Sequence, residues 1–387
     1  MKRRLWRIKI NALLLFIFLL IILGGCSQDV FVTDKGNEND NILIALPGPL
    51  YYMEEGSHFL KGVEMALKEV NDEGLIDGRK LDVIVADDKG SFMEGVSLAQ
   101  SFVENESVSA VIGHWHSHIT LPASDIYEDS GLVMLSPVVS NVNLTAEDNN
   151  FIFRNIPGDD EIGRQMAFFA RDKGLDRIAL FYADTPYGLG LVNAFEETAA
   201  EIGIVIVDSI NGFVDNYDKK RTVDRWEALG YDAIFVASSL DDARSFIVDI
   251  REAGVSKPLL GGDGLDVGII EELGKDAEGI VVATMINPEH YNPLLKDFMV
   301  KFQEAHGFEP DVWGLQGYDS VRLIAHAIRE GGSAAPEKIA ETLHAMEEWE
   351  GLLGNFSFND RGEAEGIAVY QKEVRNGEFS YSTSGLK

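Results

Sequence analysis

Residues 41–46 read NILIAL, a short apolar run closed by Pro47-Gly48-Pro49, and residues 59–71 (FLKGVEMALKEVN) carry apolar side chains at helical spacing. This pattern predicts a strand, a loop and a helix. The alternation continues with strand 81–86, helix 94–103, strand 110–113, helix 121–129 and strand 133–135. A second series begins after Arg154: helix 161–173, strand 177–182, helix 189–202, strand 204–209, helix 218–229, strand 233–237, helix 242–253 and strand 258–261. Strands and helices in this order predict an α/β protein with doubly wound parallel sheets. Two series of this size predict two lobes rather than one.

The first 25 residues follow another pattern. Lys2, Arg3, Arg4, Arg7 and Lys9 form a basic start, followed by the uncharged apolar run ALLLFIFLLIIL at residues 12–23. That run has the length of a signal-peptide core and falls short of a spanning helix. It ends Leu23-Gly24-Gly25-Cys26, which looks like a bacterial lipobox, and Cys26 is the only cysteine of the chain. Residues 1–25 are therefore expected to be a lipoprotein signal peptide and Cys26 the lipidated residue. Residues 26–40 are expected to be a polar tether that holds the protein on the outer side of the cell membrane, periplasmic or at the cell surface. A plain membrane anchor with an incidental cysteine is the competing reading.

Composition removes several function classes. Against 33 Lys+Arg stand 64 Asp+Glu, a net charge of −31, which becomes −36 once the five basic leader residues are gone. Such a charge has no footprint for nucleic acid or an anionic membrane surface. One cysteine leaves no disulfide framework and no multi-cysteine metal site.

In doubly wound sheets ligands sit beyond the carboxyl ends of the strands, so the loops there are the candidate sites. After strand 110–113 come His114-Trp115-His116-Ser117-His118-Ile119-Thr120, with Ser117 near a helix N-terminus that favours an anion such as a carboxylate. Ser117 or Thr120 can equally serve only to cap that helix. Ser136-Pro137-Val138-Val139-Ser140-Asn141 offers a second hydroxyl and exposed backbone groups. Tyr187-Gly188 follows strand 177–182 and supplies an aromatic that either closes over a solute or packs within its loop. Gly261-Gly262-Asp263-Gly264 presents a carboxylate on a glycine-rich turn, suited to a cation or simply to turn chemistry.

Taken together these loops resemble a known family. Gly113-His114-x-x-Ser117-x-x-Thr120-x-Pro122-Ala123-Ser124-Asp125-Ile126-Tyr127-Glu128-Asp129-x-Gly131 is similar to the leucine/isoleucine/valine-binding proteins of bacterial ABC importers. Met134-Leu135-Ser136-Pro137, Tyr187-Gly188-x-Gly190, Arg251-x-Ala253-Gly254, Gly261-x-Asp263-Gly264 and Gly317-Tyr318-Asp319 extend the likeness along nearly the whole mature chain. The resemblance implies a type I periplasmic-binding fold, two lobes joined by a three-crossover hinge. Lobe 1 is expected to hold residues 41–155 and 283–355, lobe 2 residues 156–282 and 356–387. It further implies that Ser117 bonds a ligand α-carboxylate, that Ser140 and the Val138 backbone belong to the site, and that an α-ammonium meets the Val138 carbonyl and Asp263. Tyr187 matches the lobe 2 aromatic that shuts over the amino acid. The chain departs from the pattern in three places: Asp263 stands where many relatives have Glu, Leu240 stands near an expected aromatic, and the first loop, Leu50-Tyr51-Tyr52-Met53-Glu54-Glu55, is longer. Tyr51, Trp115 and Trp313 are accordingly candidates for the side-chain pocket, with core packing as the alternative for each.

Two rivals remain. His114, His116 and His118 alternate, which in an extended segment aligns three imidazoles for a metal, but no H-E-x-x-H motif or acidic partner accompanies them. No G-x-S-x-G elbow or P-loop occurs, so no enzyme chemistry is expected. The expected function is a lipid-anchored, monomeric amino-acid-binding subunit working with an ABC permease and ATPase, without metal or cofactor. A ligand-sensing receptor subunit, or a binder of small amides or carboxylates, is the alternative.

Overall fold

The computed structural model describes residues 30–32, 41–146, 149–212, 218–290 and 292–382. The expected signal peptide and Cys26 lie outside the described residues. Two large sheets form the two lobes. The first comprises β1 (Val30–Val32), β2 (Ile42–Gly48), β3 (Leu81–Asp87), β4 (Val108–Ile112), β5 (Val133–Ser136) and β6 (Ile152–Arg154), in the order β1-β3-β2-β4-β5-β6. All neighbours run parallel except β1, which lies antiparallel on the edge of β3. Part of the expected tether is thus an edge strand. The helices between these strands are α1 (Leu50–Glu54), α2 (Phe59–Glu73), α3 (Phe92–Val103) and α4 (Ser117–Ser130).

After β6 the chain crosses to the second lobe and builds α5 (Asp159–Asp172), β7 (Arg177–Tyr182), α6 (Pro186–Ile202), β8 (Val205–Asn211), α7 (Lys219–Leu229), β9 (Ala233–Ala237), α8 (Leu240–Glu252), β10 (Leu259–Gly261), α9 (Ile269–Leu273) and β11 (Ile280–Thr284). Its central strands are buried on both faces, as helix-covered parallel strands are. Phe181 and Val236 pack with Trp226 and Phe246 on one side. Their neighbours Leu180 and Phe235 pack with Phe195 on the other.

A second crossing returns the chain to lobe 1 as α10 (Pro293–His306), α11 (Val312–Gly331) and α12 (Pro336–Ala345). Helix α11 lies against α2 at close range because glycines face each other: a Cβ on Gly62 would stand 1.9 Å from the Gly314 carbonyl oxygen. A small sheet, β12 (Trp349–Gly351), β13 (Gly354–Phe358) and β14 (Ala364–Glu365), follows. The third crossing leads to β15 (Tyr370–Arg375) and β16 (Glu378–Tyr381), which extend the second sheet to β16-β15-β11-β10-β9-β7-β8.

Phe356, Phe358 and Ala364 belong to the core of lobe 1, so the chain returns to lobe 2 near residue 370 and not at 356. The alternating Asn355-Phe356-Ser357-Phe358 has a strand period, but which core receives the two rings is decided by tertiary packing. Among the described residues no helix is long and apolar enough to cross a membrane.

Candidate functional site

The strands of both sheets aim their carboxyl ends at a cleft between the lobes, of about 470 Å³. All eight residues proposed for ligand binding from the sequence line it: Tyr51, Trp115, Ser117, Val138, Ser140 and Trp313 from lobe 1, Tyr187 and Asp263 from lobe 2.

Ser117 is the first residue of α4, four positions earlier than the sequence reading started that helix. Pro122 lies inside the helix, where it supplies no backbone donor and its ring crowds the carbonyl of the preceding turn. The consequence is chemical: Ser117 brings its hydroxyl and the free N–H groups of a helix's first turn to the cleft wall. Its hydroxyl makes no hydrogen bond to another described residue. The loop before it is held from beneath. His114 Nδ1 lies 3.1 Å from Asp88 Oδ2 and Nε2 lies 3.1 Å from the Tyr127 hydroxyl, all three side chains being buried. The imidazole thus bridges a buried carboxylate and a buried phenol through its two ring nitrogens.

This arrangement removes the three-imidazole reading. His114 points into the core while His116 and His118 stack on each other at the cleft. Burial, with the adjacent His118 adding to it, lowers the pKa of His116. Among the described residues no group of three or more His, Cys, Asp or Glu is placed to hold a metal ion.

Ser140 donates to Asp159 Oδ1 at 2.7 Å, and its carbonyl accepts from the Asp159 N–H at 2.7 Å and from Arg154 at 3.0 Å. Asp159 is fully buried, and its second carboxylate oxygen has no partner among the described residues. Burial pushes its carboxyl well above the usual range; the nearby Asp263 adds to the shift and Ser140's hydrogen bond opposes it. The sequence reading missed Asp159, because Asp159-Asp160-Glu161 looks like the ordinary acidic first turn of a helix.

On lobe 2, Thr185 caps α6 by accepting from the Gly188 N–H at 3.1 Å, which sets Tyr187 in the first turn. The Tyr187 hydroxyl donates to Asp263 Oδ1 at 2.9 Å and accepts from the Gly264 N–H at 2.9 Å. The glycines around Asp263 make room for this phenol, since a Cβ on Gly264 would come 2.7 Å from its oxygen. Asp263 is 4% exposed. Burial pushes its carboxyl up to about 6, against the Tyr187 hydrogen bond and with the neighbouring Asp266 adding to the rise.

The outer end is aromatic and acidic. Tyr52 stacks on Trp115 with centroids 6.3 Å apart, and Trp115 meets Trp313 at 5.6 Å. Opposite them stand Asp241, Asp242 and Glu272. Tyr52 and these acids were not singled out in the sequence. The first loop folds as helix α1 around the buried Met53, which leaves Tyr51 66% exposed and turns Tyr52 onto Trp115. Trp115 and Trp313 both line the cleft and pack on the lobe 1 core, so the two alternatives for them coexist.

Comparison with known proteins shows the family and the fold. A family model described as periplasmic binding protein matches residues 43–377. The Leu/Ile/Val-binding protein homolog 1 of Brucella suis is 28% identical over 333 residues, covering 84% of this chain and 88% of its own. The leucine-, isoleucine-, valine-, threonine-, and alanine-binding protein of Pseudomonas aeruginosa is 27% identical over 84% of this chain and 87% of its own. An ABC transporter substrate-binding protein of Desulfitobacterium hafniense, solved in complex with Leu, is 36% identical, with a TM-score of 0.81 over 89% of this chain and 100% of its own. The chain belongs to the periplasmic binding proteins, a solute-binding and not an enzymatic family, with the type I fold.

Proposed function

We propose that the protein is the extracytoplasmic substrate-binding subunit of an ABC importer and binds an α-amino acid with an apolar side chain, leucine, isoleucine or valine first among them. The observation that carries this reading is the buried carboxylate of Asp263. It is held by one hydroxyl on lobe 2 and opens onto the cleft that Ser117 lines from lobe 1. A carboxylate in a dry cleft is costly unless a cation meets it, and a helix N-terminus with a free hydroxyl suits an anion. A zwitterion satisfies both at once when the lobes close. Its carboxylate goes to Ser117 and the first-turn N–H groups, its ammonium to Asp263, the Val138 carbonyl and the Ser140 oxygen. Tyr187 orients Asp263, and Trp115, Trp313 and Leu240 receive the side chain.

The names and bound ligands of the relatives support the same cargo. Partner permease and ATPase subunits follow from the importer reading, and the protein acts as a monomer. The lobes divide at the three crossings, with residues 293–365 rejoining lobe 1 and residues 370–382 lobe 2. Anchoring through a lipid on Cys26 rests on the basic start, the apolar run and the Leu23-Gly24-Gly25-Cys26 junction; loss of radioactive palmitate labelling in Cys26→Ser tests it. Calorimetric titration with leucine tests the site. Ser117→Ala and Asp263→Asn should each weaken binding strongly, and wild-type affinity in both would remove the assigned residues.

A further inference from the structure

Besides the buried Ser140–Asp159 bond and the Asn141 side chain's 2.6 Å bond to the Pro186 carbonyl, the described residues include a contact that ties the lobes together at the exposed rim of the cleft. The Tyr52 hydroxyl, on α1 of lobe 1, donates to Asp241 Oδ2, in the first turn of α8 on lobe 2. We propose that Tyr52 and Asp241 form a latch across the mouth of the cleft, which holds the lobes together over a bound solute and sets how slowly it leaves. This rests on the reading of the cleft as a solute site and adds a retention device to it.

Three features support a latch rather than a chance surface contact. Lobe 1 places the phenol in advance: its ring lies nearly parallel to Trp115, at 12°, and edge-on to His116 at 5.7 Å. Burial raises the hydroxyl's pKa above its ordinary value, so it stays a donor at any physiological pH. Lobe 2 offers an acceptor free for the task. Asp242 takes the Ser239 hydroxyl of its own helix end at 3.2 Å, whereas Asp241 has Tyr52 as its hydrogen-bond partner. Position is the third feature. Ser140–Asp159 joins groups on either side of the first crossing, at residues 155–158, so a hinge rotation moves them little. Tyr52 and Asp241 lie on elements away from all three crossings, so the same rotation separates them.

The test uses the full chain in detergent with Cys26→Ser, which leaves no native thiol. Spin labels on Glu106→Cys of lobe 1 and Glu201→Cys of lobe 2 report the interlobe distance, and stopped-flow tryptophan fluorescence reports leucine release. Tyr52→Phe keeps the ring on Trp115 and removes only the hydroxyl. It should broaden the ligand-free distance distribution toward longer values and speed leucine release about fivefold. Asp241→Ala should do the same, and the double variant should release no faster than either single one. Unchanged distances and release rates in Tyr52→Phe, or effects that multiply in the double variant, overturn the latch. If the parent chain binds no amino acid, the proposed cargo fails, and the distance measurement alone still decides the latch.

Discussion

The inner end of the cleft and its rim are made in opposite ways. Inside, each polar group is fixed by the protein: Ser140 by Asp159, Asp263 by Tyr187, and the Ser117 loop by His114 on Asp88 and Tyr127. At the rim, Tyr51, His118, Asp241, Asp242 and Glu272 are exposed, and the contacts are ring stacks and a single hydrogen bond between the lobes. On the proposed function, the difference follows from what each end would recognise. An α-carboxylate and an α-ammonium have the same spacing in every amino acid, so rigid donors and acceptors serve them all, and prior fixation lowers the ordering cost of binding. Side chains differ, and a surface of aromatic rings accommodates several of them without unpaired polar groups.

If this division holds, the largest losses come from the inner end. Asp263→Ala and Ser117→Ala should each cost about 2 kcal/mol or more of leucine affinity, because each strands a charged group of the ligand in the closed cleft. His114→Ala should lower stability by a similar amount, about 2–3 kcal/mol, by leaving the buried Asp88 and Tyr127 without their partner. Thermal unfolding measures it.

Proton linkage separates binding from stability at the same residue. Burial raises the Asp263 pKa from 3.8 to about 6, so the folded chain holds that proton more tightly than the unfolded one. The stability it confers is present below pH 4 and lost as pH rises through about 6. Binding runs the other way, since an ammonium needs the ionised carboxylate. Leucine affinity should therefore fall as pH drops below about 6 and should be flat across that range in Asp263→Asn. A melting point of the free protein that falls between pH 4 and 7 in the wild type should fall less in Asp263→Asn.

Smaller effects belong further out. Tyr187→Phe should cost about 1 kcal/mol of affinity, since Asp263 loses its donor but keeps its place. His118→Ala should change affinity less than twofold, with or without zinc; a zinc-dependent loss would revive the metal reading.

The same division explains what the sequence could show. Strands 177–182 and 233–237 read correctly to the residue, because runs buried on both faces and closed by turns leave little ambiguity. The placement of Ser117, Ser140 and Asp263 at the cleft was legible because the residues after parallel strands are few, and Ser, Gly and Asp stand out among them. Asp159 was hidden in an acidic triplet that marks a helix start, since its burial depends on the lobe crossing and not on its neighbours in sequence. The sequence singled out Tyr51, and the structure places Tyr51 and Tyr52 both at the cleft, with Tyr52 the ring that stacks on Trp115. The two are adjacent, and only the turn of α1 around Met53 decides which ring faces Trp115. The strands of residues 349–365 went unassigned for a similar reason, their partner core being set by the second crossing.

The central claim, that one cleft holds both charges of an amino acid, is tested most directly by titrating the protein calorimetrically with leucine, 4-methylpentanoate and 3-methylbutylamine. These share the side chain and differ only in the charged groups. The account predicts heat and saturation with leucine, and affinity lower by at least a hundredfold for the acid without the ammonium and the amine without the carboxylate. An acid that binds as tightly as leucine would show that Asp263 does not meet an ammonium, and would contradict the amino-acid reading of the site.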